Sequence, residues 1–449
     1  MAVRIRQLLQ TVGFALALSA LCNFSQAGNN GFRQSSVGGV SVDAAGVVKN
    51  STVDVLNDLR QRRLQAQTKV SDDLAEKVEL RKISLKRMMA EIKKAQDAGK
   101  DIPDEVRYLA GIQRIKYVFV YPEENDIVFA GPAEGWKLDA AGNVVGMTTN
   151  QPVLQLDDLL IAVRSADELL RGSITCSIDP TQEGMARLQQ FVKAQGGKIG
   201  ANAQQTITGI EEALGPQTVT FGGVDPTTRF ARVLLAADYR MKRLAMGFEK
   251  SPVPGMKSFL DMTTGASDMF PRWWLTTNYD PLLKSEDGLA WELRGPGVKA
   301  MTQDAFFSAN GARTTTNKVN PVAQKWADDM TKGYDRLASS MPIFGELRNV
   351  MDMAVLAALV SKENLIQKSG LDLSVLRSST LTTDEMNAPR NISTQASFIK
   401  RGRNYIISAS GGVEIRPASV LERFEESPTL TASRKQNATS ETNWQWWWN

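Results

Sequence analysis

The chain has 449 residues, with 53 Lys and Arg against 49 Asp and Glu, two cysteines and no histidine. The missing histidine excludes Ser-His-Asp and Cys-His nucleophile systems, a histidine proton shuttle and every histidine-ligated metal site, so any catalysis has to rest on carboxylates, Lys, Tyr, Ser or Thr. The near balance of charge gives no reason to expect nucleic acid or an acidic substrate as partner.

The opening stretch MAVRIRQLLQTVGFALALSALCNFSQAGNN reads as a secretory signal over residues 1–27. Arg4 and Arg6 supply the positive end, Leu8 to Cys22 the apolar centre, and Ser25, Gln26 and Ala27 a small-x-small cleavage site. A bilayer span needs about 20 apolar residues, and this run is shorter and broken by Gln10 and Thr11. Leu21 before Cys22 also departs from a lipoprotein site. The expectation is an exported chain, periplasmic or extracellular, from residue 28 onward, long enough for two or three domains. No later segment is apolar and long enough to span a bilayer. Cleavage removes Arg4 and Arg6 and no acid, leaving 51 basic residues against 49 acidic. It also removes Cys22, so Cys176 has no intramolecular disulfide partner. In SITCSIDP, Ile174, Cys176 and Ile178 alternate onto one strand face, which predicts a buried, inert thiol.

Residues 28–50 are rich in Gly, Asn and Ser and read as a linker or a loose first hairpin. Residues 51–102 are expected to be helical, because Leu56, Leu59, Leu64, Leu74, Val78, Ile83, Met88 and Ile92 recur at helical spacing with basic outer faces. An α/β core is expected over 103–310. It begins with a helix start at Pro103, continues with a hairpin of IKYVFVY and DIVFAGP, and adds a second hairpin around Gly142 and Asn143. LDDLLIAVRSADELL then predicts an amphipathic helix capped by Asp157 or Asp158.

An internal repeat follows. ITCSIDPTQEGMARLQQFV and VTFGGVDPTTRFARVLLAADY share a strand, a D-P-T turn and a helix, with Asp179 and Asp225 expected as helix caps and the proline at the first helical position. Two such units with a helix between them favour a mostly parallel sheet with a right-handed crossover. In the second helix, Phe230, Val233, Leu234, Ala237, Met241, Leu244, Ala245 and Phe248 form one apolar stripe, and Leu235, Tyr239 and Met246 a second. Arg232, Arg240 and Arg243 lie on one flank, and Asp238 pairs with Lys242 at i, i+4 on the other. Such a helix is expected to be covered twice, with its charges as borders of the apolar faces.

Further strands are expected at Trp273–Asn278 and Leu289–Arg294, a helical pair over 311–370 broken at Pro342, and a hairpin NYIISASGGVEIRP within 371–424. Residues 425–449 read as a disordered polar tail. Trp444, Trp446, Trp447 and Trp448 end that tail and suggest an adhesive element for an envelope protein, a polymer or a membrane interface.

Three kinds of candidate site stand beside simpler structural readings. FGGVDP, SGGVEI and VGGVSV lack a nucleotide-binding fingerprint and read as tight turns. Ser397-Phe398-Ile399-Lys400 matches S-x-x-K by chance, since it lies in an expected strand with no companion motif. A carboxylate pair for glycoside hydrolysis needs no histidine. Glu134, Asp280 and Glu292 stand near in sequence to Trp136, Trp273, Trp274 and Trp291, residues of a type able to stack on sugar rings, although strand aromatics are more often core.

The strings PDEVRYLAGIQRIKYVFVYPEENDIVFAGPAEGW, RVLLAADYRMKRLAMG and GGVEIRP resemble a family of exported planctomycete proteins known only as a domain of unknown function, over roughly residues 38–421. The resemblance implies export and carries over no catalytic residue. The expected fold is α+β, a mixed sheet with the repeated strand-DPT-helix unit, a helical pair and a C-terminal hairpin. The expected function is a non-catalytic binding or structural protein of the cell envelope, without cofactor or metal, the alternative being a histidine-free carboxylate hydrolase such as a glycosidase.

Overall fold

The computed structural model describes residues 40–42, 48–50, 70–195, 203–263, 271–303, 305–307, 313–315, 320–386, 388–396, 409–438 and 447–449, all within the unit Ser36–Asn449. Val40–Val42 pairs with Val48–Asn50 as an antiparallel hairpin inside the 28–50 stretch. Strand β1, Val78–Ser84, runs into helix α1, Leu85–Asp97, where Ser84 Oγ accepts from Arg87 N as the cap. Tyr117–Tyr121 (β2) and Asp126–Ala133 (β3) form the expected hairpin, and Trp136–Leu138 with Val144–Gly146 forms the next. Helices α2, Leu156–Arg164, and α3, Ala166–Arg171, lead to β4, Ile174–Asp179. The chain continues through α4 (Gln182–Ala194), α5 (Ala203–Leu214), β5 (Gln217–Gly222) and α6 (Arg229–Ala245). Strands β6 (Arg272–Asn278), β7 (Leu282–Lys284), β8 (Ala290–Glu292) and β9 (Gly297–Thr302) precede helices α7 (Pro321–Lys332), α8 (Tyr334–Ser340) and α9 (Pro342–Lys362). The last elements are β10 (Asn391–Ile392), β11 (Ser410–Ile415), β12 (Phe424–Glu426) and α10 (Pro428–Gln436).

The fold is α+β, built on two mixed six-stranded sheets. The first has the order β9-β6-β11-β4-β5-β10 and the second β12-β7-β8-β2-β3-β1. Each sheet contains one parallel pair, β6 with β11 and β7 with β12. The apolar run AVLAALV lies in α9, which is buried continuously from Ile343 to Val360 and packs against α2, α3, α6 and α8. α6 lies on β4 and β11, and every one of its residues except Arg240 and Arg243 is buried, which fits the two apolar stripes. One hydrophobic cluster extends from Val70 to Trp447, so the segments expected as separate regions share a core. Among the described residues no helix is long and apolar enough to cross a membrane.

Several expectations need correction. Within 51–102, residues 78–84 are a strand, because Arg81 and Ile83 turn inward at period two and the backbone pairs with β3; residues 51–69 lie outside the described residues. β4 and β5 are antiparallel, since two helices, α4 and α5, separate them and the second return reverses the chain direction. The caps of α4 and α6 are Thr181 and Thr228, whose hydroxyls accept from Gly184 N and Ala231 N. Asp225 instead closes the preceding turn, its carboxylate accepting from Thr227 N at 2.8 Å. α2 begins after Gln155, and Asp158 is buried against Arg229 rather than capping. β7 lies in the connection between the two tryptophan-bearing strands. The first arm of the expected C-terminal hairpin lies outside the described residues, while its second arm, β11, is central in the first sheet.

The expected disordered tail is ordered wherever it is described. Glu425 and Glu426 belong to β12, and α10 lies across the second sheet with Leu430 packed on Phe119 and Tyr121. Tyr121 donates its hydroxyl hydrogen to Arg434 O and Asn437 O, at 3.0 and 2.9 Å. At the far edge, Ser84 N donates to Trp447 O, and Lys82 and Asn449 exchange backbone hydrogen bonds. The tail's polar composition hid this order, because its hold comes from backbone pairing at the sheet edges and two apolar anchors, Leu430 and Trp447.

Candidate functional site

The site is built where the ladder between β4 and β11 ends. Pairing runs from Ile174 with Ile415 to Ser177 with Gly412 and then stops. The next residue, Gly411, has φ +124°, and a Cβ there would lie 1.7 Å from Trp273 O, so only glycine fits. The Lys242 amine, projecting from α6, fills the opening. It donates to Ile178 O at 2.8 Å, Gly411 O at 3.3 Å and the Asp238 carboxylate at 2.8 Å, which uses all three of its hydrogens. Burial pushes the Asp238 carboxyl up to about 7, against the opposing pull of Lys242.

Beside this clamp is a shallow open cleft, with walls from α6, β4, β5, β10 and the segments around Phe248, Gln395 and Ala409. Ile178, Met246, Phe248, Ile392 and Ala409 give it apolar surface; Gln217, Tyr239, Lys242, Arg243, Ser393 and Gln395 supply polar groups. Arg243 bonds Glu249 at 3.1 Å and the Gln395 side-chain oxygen at 2.9 Å, and its guanidinium lies over the Tyr239 and Phe248 rings. Arg240 shares Glu249. Among the described residues no carboxylate lines the cleft, so its chemistry is hydrogen bonding beside an apolar wall.

The residues singled out in the sequence are dispersed. Cys176 is fully buried and burial pushes its thiol well up. Trp136, Trp273 and Trp291 are buried, while Trp274 is half-buried on the sheet face turned away from α6. Glu134 is enclosed; burial alone would raise its carboxyl, but the hydroxyls and backbone N–H groups of Thr148 and Thr149 hold it down to about 2. Gln113 donates to it as well, at 2.8 Å. Asp280 is exposed and Glu292 half-buried. Ser397, Lys400, Trp444 and Trp446 lie outside the described residues; Trp447 is buried, and Trp448 bridges to Ile83.

Other buried charges tie helices together. Arg114 forms a two-pronged pair with Asp352, which also accepts from Tyr279 at 2.6 Å. Arg229 pairs with Asp158 and Glu346, joining α6 to α2 and α9. The charges of α6 are therefore not all borders. The i, i+4 spacing of Asp238 and Lys242 was visible, but nothing local placed them under two strands. Among the described residues no group of three or more Asp, Glu or Cys is arranged to hold a metal ion.

Residues 176–259 match the family described as Protein of unknown function (DUF1598). That family segment runs from β4 through α6 and supplies Ile178, Gln217, Tyr239, Lys242, Arg243, Met246 and Phe248 of the cleft. No curated protein and no solved structure matches the chain.

Proposed function

We propose that this is an exported binding or structural protein of the cell envelope that works without catalysis and holds a polar ligand in the cleft beside Lys242. The observation that carries the reading is the lining, in which a guanidinium, two carboxamides and two hydroxyls surround an apolar wall and, among the described residues, no carboxylate is present. Planar amide and guanidinium groups suit the paired hydroxyls of a saccharide unit, and the apolar wall suits its C–H face. Export is supported by the signal-like opening of the sequence. The glycosidase alternative has less support, because Glu134 is enclosed and three of the four candidate sugar-stacking tryptophans are core.

The test is calorimetric titration of the protein, begun at residue 28, with soluble glycan fragments of envelope material. Binding that is lost in Arg243→Gln and Gln395→Ala, with thermal stability retained, supports the reading. Time-dependent release of reducing ends would replace it with the hydrolase.

A further inference from the structure

The face of the first sheet turned away from α6 carries a row that crosses five strands. The register places Met301 of β9 beside Trp274 of β6, then Gly412 of β11, Ser177 of β4 and Thr220 of β5. At the usual strand spacing this row is roughly 19 Å long. Met301 is 46% exposed and Thr220 is exposed, and the hydroxyls of Ser177 and Thr220 lie 3.4 Å apart. Gly412 leaves room for the indole: a Cβ there would meet Trp274 Cζ3 at 2.7 Å, so the ring reaches across the glycine toward Ser177.

A second, independent observation lies one row away. Arg272 and Ser410 are register neighbours on the same face, and both are nearly fully buried. Among the described residues, Arg272 Nε and Nη1 and Ser410 Oγ have no hydrogen-bond partner. The Arg272 guanidinium stacks on Trp274, 4.5 Å from the ring centroid, and an acidic neighbour, Asp179, is 3.5 Å from Nη2. Unpartnered guanidinium nitrogens in a buried setting are costly, and a carboxylate is the group that best satisfies them.

We infer that this face is a binding platform for an acidic polysaccharide strand. Trp274 and Met301 take the apolar face of a sugar ring, Ser177 and Thr220 exchange hydrogen bonds with its hydroxyls, and Arg272 with Ser410 receives the carboxylate of a uronic acid unit. The inference rests on the envelope-binding reading but uses the opposite face of the sheet from the cleft, so the two fail separately.

The experiment is affinity electrophoresis of the protein, begun at residue 28, through gels containing polygalacturonate or, as neutral control, dextran. Polygalacturonate should retard the wild-type protein and dextran should not. Trp274→Ala and Arg272→Gln should each weaken retardation about tenfold, about the effect of one lost stacking or charged contact. The exposed-face double variant Ser177→Ala with Thr220→Val, which disturbs no core, should weaken it severalfold and keeps the test open if Arg272→Gln fails to fold. Arg243→Gln, in the cleft, should leave retardation unchanged. Equal retardation by dextran, full competition by polyglutamate, or insensitivity to Trp274→Ala would each overturn the platform; loss of retardation in Arg243→Gln would move acidic-glycan binding to the cleft.

Discussion

Lys242 sits one helical turn beyond Asp238 on α6 and bonds its carboxylate at 2.8 Å while also holding Ile178 O and Gly411 O. The pair is both an ion pair and the cross-link between two strands whose own ladder has ended. Lys242→Met removes the cation, leaves two backbone carbonyls without a donor and leaves a buried carboxyl alone. The expected loss is about 3–5 kcal/mol, as when one partner of a buried pair is removed. The double variant Lys242→Met with Asp238→Leu should recover part of it. Urea denaturation of the three proteins checks this, and equal stability of the single variant and the wild type would refute the clamp.

Stability should fall between about pH 4 and pH 7. Burial raises Asp238 to about 7, Asp158 to about 6 and Glu346 to about 7, whereas in the unfolded chain they titrate near 3.8, 3.8 and 4.5. From about pH 4 to pH 7 the folded state therefore keeps protons that the unfolded state has released, and stability is lost as pH rises through that window. Glu134 acts in the opposite sense. Held at about 2, it contributes above 4.5, and its contribution is lost as pH falls toward 2. The urea midpoint should accordingly be highest near pH 4–5; a midpoint that climbs from pH 5 to pH 8 would mean these carboxyls stay ionised in the fold.

The two threonine caps give a local test. Thr228→Ala should cost about 0.5–2 kcal/mol, because Ala231 N loses its acceptor at a buried helix start. Asp225→Ala should cost less, since that carboxylate is nearly exposed and serves only the preceding turn. Thermal melts of both variants rank them, and a larger loss at Asp225 would restore the aspartate as the important residue of the D-P-T unit.

Trp447 is 3% exposed and anchors residues 447–449 on the β1 edge of the second sheet. Trp447→Ala should destabilise by about 3–5 kcal/mol, as for other buried tryptophans. Deleting residues 439–449 should expose the β1 edge and lower the melting temperature further. Unchanged melting in both would mean that the tail detaches in solution.

The sequence by itself determined the features that short-range chemistry dictates. Alternation made β2, β3, β4 and β6 legible, helical spacing marked α6 and α9 as buried, and the position of Cys176 in SITCSIDP was enough to place its thiol in the core. Absence of histidine narrowed the chemistry before any fold was known. What only the tertiary structure decided depends on partners far apart in the chain. The direction of β5 turned on the second helix before it, the order of the tail turned on backbone groups at Lys82 and Ser84, and the role of Lys242 turned on carbonyls 64 and 169 residues away. A local pattern fixes the period and polarity of an element; it carries no information about which distant donor or acceptor will complete it. The cleft and the Trp274 face both arise at such completions, which is why neither could be read from the residues that form them.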